Sequence, residues 1–160
     1  MVPERVRCAP RREESQTLTL TEPGTLEQAG IHCIAELYDC PPALLDDEAF
    51  ITASLREAAN QGMATLLHEV SHRFHPQGVT ALGLIAESHI AIHTWPEFGY
   101  AAVDVFTCGE RASAERACLY LVEALQASRH TLVKVPRGTG LKGRPGSAVP
   151  EPQAVTSPSA

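Results

Sequence analysis

The sequence has no long apolar run, no excess of positive charge and no paired cysteine motif. No segment approaches the roughly 18 consecutive apolar residues of a membrane-spanning helix, which argues against a membrane protein. The formal net charge is −6, with 13 Lys and Arg against 19 Asp and Glu. Nucleic-acid binding calls for clustered basic side chains, and the basic residues concentrate near the two ends, so the composition also argues against a nucleic-acid partner.

The cysteines follow no paired spacing and number five: Cys8, Cys33, Cys40, Cys108 and Cys118. An odd count without paired spacing argues against a disulfide framework. The first residues also lack the apolar stretch of a secretory signal peptide. We therefore expect a cytoplasmic protein with free thiols, most of them packed in its core.

The chain of 160 residues is long enough for one domain with its own core. Residues 1–27 are polar and show no sustained periodicity, and residues 138–160 are rich in glycine, proline and small side chains. Neither segment offers enough apolar surface to offset the entropy lost on ordering. The sequence therefore predicts a flexible N-terminal extension over 1–27, a folded domain over 28–136, and a flexible tail over 138–160.

Within the predicted domain, apolar residues recur at helical spacing in two segments and have strand character elsewhere. Residues 46–60 begin with acidic residues and residues 113–128 begin with a serine, as helix starts do. Strands are predicted at 32–38, at 79–95 as two strands meeting near Glu87-Ser88, at 100–109 and at 131–135. This pattern predicts an α+β fold, a two-layer sandwich with two helices on one face of a largely antiparallel sheet.

Residues 68–72, His-Glu-Val-Ser-His, match the H-E-x-x-H signature of zinc proteases. That site needs a helix, which places His68 and His72 side by side and Glu69 next to the metal-bound water. A glycine and a His-Pro pair instead bracket residues 63–75, a segment of strand length. On a strand Glu69 faces away from both histidines, so we predict a strand here and no metalloprotease site.

The segment 86–109, AESHIAIHTWPEFGYAAVDVFTCG, holds more reactive residue types than any other part of the chain. Residue types alone leave two interpretations open. In one, Ser88, His89 and His93 are polar positions on a sheet face and Cys108 is a core thiol. In the other, these residues form a reactive site. A Ser-His hydrolase is disfavoured, because no G-x-S-x-G elbow surrounds Ser88 and the sequence marks no acid partner.

The run ESHIAIHTWPEFGYAAVDVFTCG, residues 87–109, resembles the signature of the prokaryotic S-adenosylmethionine decarboxylase proenzymes, the short class that cleaves itself to form a pyruvoyl group. The resemblance extends through HRFHPQGVTALGLIAESH, DDEAF and IAELYDC, and covers about residues 28–136. It implies a carboxy-lyase that converts S-adenosylmethionine to S-adenosylmethioninamine, the aminopropyl donor for spermidine and polyamine synthesis. It also implies that the H-E-x-x-H segment is a strand.

The resemblance assigns a role to each residue of the processing reaction. Ser88 attacks the carbonyl of Glu87, and the chain breaks between the two residues. Glu87 then ends the β chain, and Ser88 becomes the pyruvoyl group at the start of the α chain. His93 occupies the position of the base that removes the Ser88 Cα proton, and imidazole suits this role because it titrates near physiological pH. Thr80 stands where the family often has a supporting serine, so the hydroxyl is kept.

For the mature enzyme, the resemblance implies that the pyruvoyl group forms a Schiff base with the substrate amine. Cys108 matches the family's proton donor, and a thiol is mostly protonated at neutral pH. Phe74 and Trp95 match the aromatic pair that sandwiches adenine, although residue type alone favours core positions for both. Glu97 matches the carboxylate that binds the ribose hydroxyls. No metal is expected, and the remaining histidines are expected to be structural or surface residues.

The family's short enzymes are dimers of cleaved protomers with sites formed between them, so the resemblance implies a homodimer. The main alternative is a relative that keeps the pyruvoyl chemistry but decarboxylates arginine or ornithine. Phe74, Trp95 and Glu97 argue against it. A non-catalytic partner subunit is a third interpretation, and the intact reactive residues argue against that.

Overall fold

The computed structural model describes residues 16–19, 28–109 and 111–139. The elements in chain order are β1 (Gln16–Thr19), β2 (Gly30–Tyr38), α1 (Pro42–Leu45), α2 (Glu48–Gln61), β3 (Leu66–Arg73), β4 (Val79–Ile85), β5 (Ser88–Trp95), β6 (Tyr100–Cys108), α3 (Ala114–Ala124) and β7 (Arg129–Arg137). A 3-10 turn, Pro96–Phe98, joins β5 to β6.

The strands form one sheet in the order β1-β7-β2-β6-β5-β4-β3. Only β1 and β7 pair in parallel among the described strands, and all other neighbours are antiparallel. Helices α2 and α3 pack against each other, with α2 on β3, β4 and β5 and α3 on β2 and β6. The predicted fold class, an α+β two-layer sandwich with a largely antiparallel sheet, is confirmed.

Strand β1 lies inside the N-terminal extension that the sequence predicts to be flexible. Its four residues pair with Thr131–Lys134 of β7 and extend the sheet by one strand. Four residues are too few to show the alternation that predicts a strand. The hydrogen bonds that form β1 also come from β7, near the other end of the chain, and have no signature in the local sequence. The other residues of 1–27, residue 110 and residues 140–160 lie outside the described part, so the predicted flexible tails stay predictions there.

The two long helices begin at side-chain caps. The carboxylate of Asp47 accepts a hydrogen bond from the Phe50 N–H at 3.0 Å, and the Ser113 hydroxyl accepts one from the Arg116 N–H at 3.3 Å. Each cap supplies an acceptor to an N–H group that has none within the helix, which sets where the helix starts. Both predicted helices are confirmed.

The core lies between the helices and the sheet. Its fully buried large side chains include Leu37, Leu45, Ile51, Leu55, Ile90, Ile92, Leu121 and Leu125. Gly83 of β4 allows α2 to approach closely, because a Cβ atom there would lie 2.7 Å from the Leu55 side chain. No helix in the described part is long and apolar enough to cross a membrane.

The opposite surface of the sheet, which we call the open face, carries the alternate residues of the strands that point away from α2 and α3. Several large apolar side chains are exposed there, with Val70 62% and Leu84 52% accessible. Contiguous exposed apolar surface of this kind marks a binding or association surface in soluble proteins. The reactive residues named above also lie on this face or at its edge.

Candidate active site

Glu87 and Ser88 lie at the tight turn between β4 and β5. Ser88 has a φ of +153°, a backbone region that residues with a Cβ atom rarely adopt. Such a conformation costs on the order of 1–3 kcal/mol and persists only when surrounding contacts impose it. The Glu87 carboxylate supplies one contact, because it accepts a hydrogen bond from the Thr65 N–H at 2.9 Å. The peptide bond between Glu87 and Ser88 is therefore held beside a strained residue.

The carbonyl oxygen of Glu87 points at the end of β6. It accepts a hydrogen bond from the backbone N–H of Cys108 at 3.0 Å. An N–H group in this position stabilises the negative charge that develops on a carbonyl oxygen under nucleophilic attack. Ser88 pairs across the sheet with Thr107, the neighbour of Cys108. The structure thus places the predicted nucleophile, the hydrogen-bonded carbonyl and the predicted proton-donor residue at one end of adjacent strands.

The Ser88 hydroxyl contacts a histidine, and that histidine contacts a carboxylate on its other side. Ser88 Oγ lies 3.3 Å from His89 Nδ1, and His89 Nε2 lies 2.8 Å from Asp104 Oδ1. Sequence reasoning gave neither residue a role, because it treated His89 as a structural or surface residue and found no acid partner for Ser88. The signal that would have found Asp104 is its place as the only acid in β6, on the same face as Phe106.

Thr80 and His93 form a second cluster near the other end of β5. The two residues pair directly across β4 and β5, and Thr80 Oγ1 lies 2.9 Å from His93 Nδ1. The resemblance assigns both to the processing reaction, and the structure brings them together. It does not bring them to Ser88, because His93 is five residues further along the same strand. At about 3.3 Å per residue the separation is about 16 Å.

The aromatic residues predicted to bind adenine lie beside this second cluster. Phe74 follows β3, donates its backbone N–H to Gly78 O at 2.8 Å and is 47% exposed. Trp95 ends β5, is 39% exposed, and its ring centroid lies 6.5 Å from that of His93. Both rings are thus accessible. The residue-type argument for core positions does not hold for them.

Glu97 lies on the 3-10 turn immediately after β5. Its Oε2 accepts a hydrogen bond from the Gln77 side-chain amide at 3.1 Å. Gln77 belongs to the loop between β3 and β4, so the hydrogen bond ties that loop to the turn. The three residues assigned to substrate binding therefore lie at the same end of the sheet.

The H-E-x-x-H segment is part of strand β3, as predicted. Glu69 points to the helical side, where both of its carboxylate oxygens lie 2.9 Å from Arg56 Nε. His68 and His72 are exposed on the open face and pair with residues of β4. The carboxylate and the two imidazoles are on opposite faces, so residues 68–72 lack the zinc-protease geometry.

The four described cysteines are free thiols, as predicted, while Cys8 lies outside the described residues. Cys33, Cys40 and Cys118 are buried, and Cys108 alone of the four is partly accessible. Burial, with a smaller effect of the Asp39 charge, raises the pKa of Cys40 to about 11. A buried thiol of this kind stays protonated and unreactive. Access alone therefore favours Cys108 as the chemically active thiol.

The folded part of the chain is similar to known proteins. Residues 31–138 match the S-adenosylmethionine decarboxylase family. The S-adenosylmethionine decarboxylase proenzyme of Parasynechococcus marenigrum (strain WH8102) is 59% identical over 110 residues, which cover 69% of this chain and 86% of the relative. The proenzyme of Caldicellulosiruptor saccharolyticus is 49% identical over 109 residues, covering 68% of this chain and 88% of the relative.

A solved structure is similar along nearly its whole length. The crystal structure of the adenosylmethionine decarboxylase from Aquifex aeolicus VF5 is 35% identical in sequence, with a TM-score of 0.69. The match covers 74% of this chain and 98% of that one. The chain therefore belongs to the S-adenosylmethionine decarboxylase family, as the resemblance of residues 87–109 predicts.

Proposed function

We propose that this chain is a proenzyme that cleaves itself between Glu87 and Ser88 and then decarboxylates S-adenosylmethionine. Family membership supports the activity, and the relatives named above are proenzymes. The observation that carries the proposal is the arrangement at the turn between β4 and β5. Ser88 has a strained backbone there, and it lies next to the Glu87 carbonyl. That carbonyl accepts a hydrogen bond from the N–H of Cys108, the neighbour of the residue that pairs with Ser88.

Processing begins when Ser88 Oγ attacks the carbonyl carbon of Glu87. The new C–O bond replaces the C–N bond, and the Cys108 N–H stabilises the oxyanion formed on the way. A base then removes the Cα proton of Ser88, and the bond between Cβ and the ester oxygen breaks, which releases Glu87 as the carboxyl end of the β chain. Water hydrolyses the remaining amine-bearing end, ammonia leaves, and a ketone remains at the start of the α chain.

The pyruvoyl group made in this way supplies a ketone that takes up the electron pair left when the substrate loses carbon dioxide. The chain's own residues fit it, because Ser88 already lies at the first position of β5 beside Thr107 and Cys108. The Cys108 thiol donates the proton that replaces the departing carboxyl group on the substrate. Thr80 orients His93 through the hydrogen bond between their side chains.

The separation of His93 from Ser88 supports a site shared between two chains. A base acts on a proton from about 3 Å, whereas the two residues of one chain are about 16 Å apart along β5. A two-fold axis that packs two open faces together would bring His93 of the partner subunit to Ser88. The exposed apolar side chains of the open face, Ile34, Val70, Leu82 and Leu84, supply the surface for such packing.

The same arrangement accounts for substrate binding. Phe74, Trp95 and Glu97 lie at the far end of β5 from Ser88 of their own chain. In a two-fold dimer these three residues and His93 would lie next to the cleaved end of the partner subunit. The adenine and ribose of one substrate molecule would bind to them, with the reacting amino-acid part of that molecule beside the cleaved end. An aromatic face also favours the sulfonium cation of S-adenosylmethionine. We propose a homodimer of cleaved protomers, in the cytoplasm, with two such shared sites.

The substrate is tested directly with the purified, processed protein. Release of carbon dioxide from carboxyl-labelled S-adenosylmethionine, arginine and ornithine is measured under the same conditions. We expect turnover of S-adenosylmethionine alone. The exposed rings of Phe74 and Trp95 and the carboxylate of Glu97 fit a nucleoside, and arginine and ornithine carry none. Turnover of arginine or ornithine without S-adenosylmethionine would contradict the proposal.

The shared site predicts that two inactive variants restore each other. Ser88→Ala lacks the nucleophile and His93→Ala lacks the base, so neither cleaves when expressed alone. In a mixed dimer, Ser88 of the His93→Ala chain faces an intact His93 of the partner subunit. Co-expression of the two, with distinguishable tags, should therefore cleave the His93→Ala chain, as read from gels and intact masses.

The matched control replaces the Ser88→Ala chain by the double variant Ser88→Ala, His93→Ala. No intact His93 is then present in any dimer, and no cleavage is expected. Cleavage of the His93→Ala chain in the control would remove His93 from the reaction. Absence of cleavage from the mixed dimer, when the tags show that mixed dimers form, would place the base in the same chain as the serine.

A further inference from the structure

A continuous line of hydrogen bonds runs over the open face from Ser88 to the last strand. His89 lies between Ser88 Oγ and Asp104 Oδ1, at 3.3 and 2.8 Å. His32 Nε2 lies 3.2 Å from the same Asp104 oxygen, and its Nδ1 lies 3.0 Å from Arg137 Nη1. Strand β5 contributes Ser88 and His89, and strands β6, β2 and β7 contribute one residue each.

Asp104 and Arg137 determine the direction of every bond in this line, because a carboxylate can only accept and a guanidinium can only donate. The Nε2 atoms of both histidines therefore carry hydrogens and donate to Asp104. His32 Nδ1 accepts from Arg137, consistent with its tautomer. In the neutral imidazole of His89, Nδ1 then has a lone pair directed at Ser88. The Ser88 hydroxyl is therefore the donor, and His89 is the acceptor of its proton.

We propose that His89 is the general base for the first step of self-cleavage and that Asp104 positions it. The inference rests on the proposed cleavage between Glu87 and Ser88. His89 Nδ1 takes the Oγ proton as the C–O bond to the Glu87 carbonyl forms. It then returns that proton to the Ser88 nitrogen as the C–N bond breaks. The step is balanced, because the proton only moves from oxygen to nitrogen while the acyl group moves from nitrogen to oxygen.

The sheet register explains why Asp104 can hold both imidazoles. Phe106 pairs directly with His89 on one side and with His32 on the other. Asp104, two residues before Phe106, is the diagonal neighbour of both, a separation that long side chains bridge. The Phe106 ring lies 6.2 Å from the His89 ring and 5.6 Å from the His32 ring. The ring thus packs against both histidines and restricts their rotation.

The same three side chains have the composition of a metal site. Ligand atoms of His32, His89 and Asp104 lie within 4.8 Å of one another. Binding a cation through both Nε2 atoms would require both histidines to carry the hydrogen on Nδ1 instead. The Nδ1 hydrogen of His32 would then face the N–H donors of Arg137. The guanidinium therefore favours the hydrogen-bonded relay over a metal.

The proposal gives the two steps of processing two different bases. His89, in the same chain as Ser88, serves the acyl shift. His93, about 16 Å away along the strand, serves the later removal of the Cα proton. A His93→Ala chain should accordingly stop at the ester, and hydroxylamine cleaves esters while leaving peptide bonds intact. The rate of hydroxylamine cleavage in that background thus reports the first step alone.

The experiment compares four purified chains that all carry His93→Ala: the parent, and derivatives with His89→Gln, Asp104→Asn or His68→Gln added. His68 is exposed on the same open face and is the matched control. We expect the parent and the control to release fragments at the same rate. The other two should release them about a hundredfold or more slowly, the typical contribution of a general base. Equal rates in all four would overturn the proposal.

A purely structural role for Asp104 is separated by two further variants. Asp104→Glu keeps a carboxylate and should recover part of the rate that Asp104→Asn loses, at an unchanged melting temperature. The Ser88→Cys variant supplies a thiol nucleophile, and a cysteine thiol with its ordinary pKa of about 8.5 ionises without help from a base. In that background the effect of His89→Gln should shrink to a few-fold. An undiminished effect would assign His89 a structural role instead.

Failure of the inference and failure of the proposed function give different results. A wild-type chain that stays whole overturns the cleavage on which both depend. A wild-type chain that cleaves, together with His89→Gln and Asp104→Asn chains that match their parents, overturns only the relay. Elemental analysis provides the remaining test: stoichiometric zinc in purified protein, with processing lost after chelation, would overturn the relay in favour of a metal site.

Discussion

Ser88→Ala is expected to leave a single intact chain of 17.2 kDa without decarboxylase activity, whereas the wild-type chain yields fragments of residues 1–87 and 88–160. The alanine variant lacks the oxygen that attacks Glu87, and no other hydroxyl adjoins that carbonyl in its own turn. Intact mass reports the reaction fully, because processing adds one water and removes one ammonia. Hydrazine labelling of the second fragment should also detect the ketone.

Ser71→Ala is the matched control for this prediction. Ser71 lies on β3 and donates to the Glu48 carboxylate at 2.7 Å on the helical side of the sheet. Its loss removes one hydrogen bond, worth about 1 kcal/mol, and should leave cleavage at the wild-type rate. An uncleaved wild-type chain that still decarboxylates S-adenosylmethionine, or an ordinary amine at the start of the second fragment, would contradict the pyruvoyl assignment.

Cys108→Ala is expected to cleave like the wild type but to decarboxylate about 10²- to 10⁴-fold more slowly, the usual range for loss of a proton donor. Cleavage uses the backbone N–H of Cys108, which lies 3.0 Å from the Glu87 carbonyl oxygen and is kept in the alanine variant. Turnover uses the thiol, which is lost. The two functions of one residue thus separate in a single substitution.

The measurement is the fraction cleaved, from gels, set against kcat for carbon dioxide release by the cleaved material. Cys40→Ala is the control, since Cys40 is buried and burial raises its pKa to about 11. It should cleave and turn over normally. Wild-type kcat in the Cys108→Ala variant would remove the thiol from the mechanism. Loss of cleavage in that variant would show that the thiol also serves processing.

Local patterns predicted most of the secondary structure, but helix packing changed some details. The acidic and serine starts of the two helices correspond to real caps at Asp47 and Ser113. Within α2, the apolar residues Leu55 and Ala58 are buried as helical spacing predicts, but Ala53 is exposed and the polar Ser54 is buried. Residue hydrophobicity alone favours alanine over serine for a core position, whereas the packing of α2 against β4 and α3 decides which side chain is covered.

The sequence by itself determined the fold class, the strand character of the H-E-x-x-H segment and the family, since these depend on periodicity, caps and a continuous motif. Only the tertiary structure decided which reactive groups meet. Sheet register places Asp104 beside His89 across two strands and the Cys108 N–H on the Glu87 carbonyl. An extended strand also separates neighbours in sequence, so Ser88 and His93 of one chain lie too far apart to react. Pairing between distant segments has no local signature.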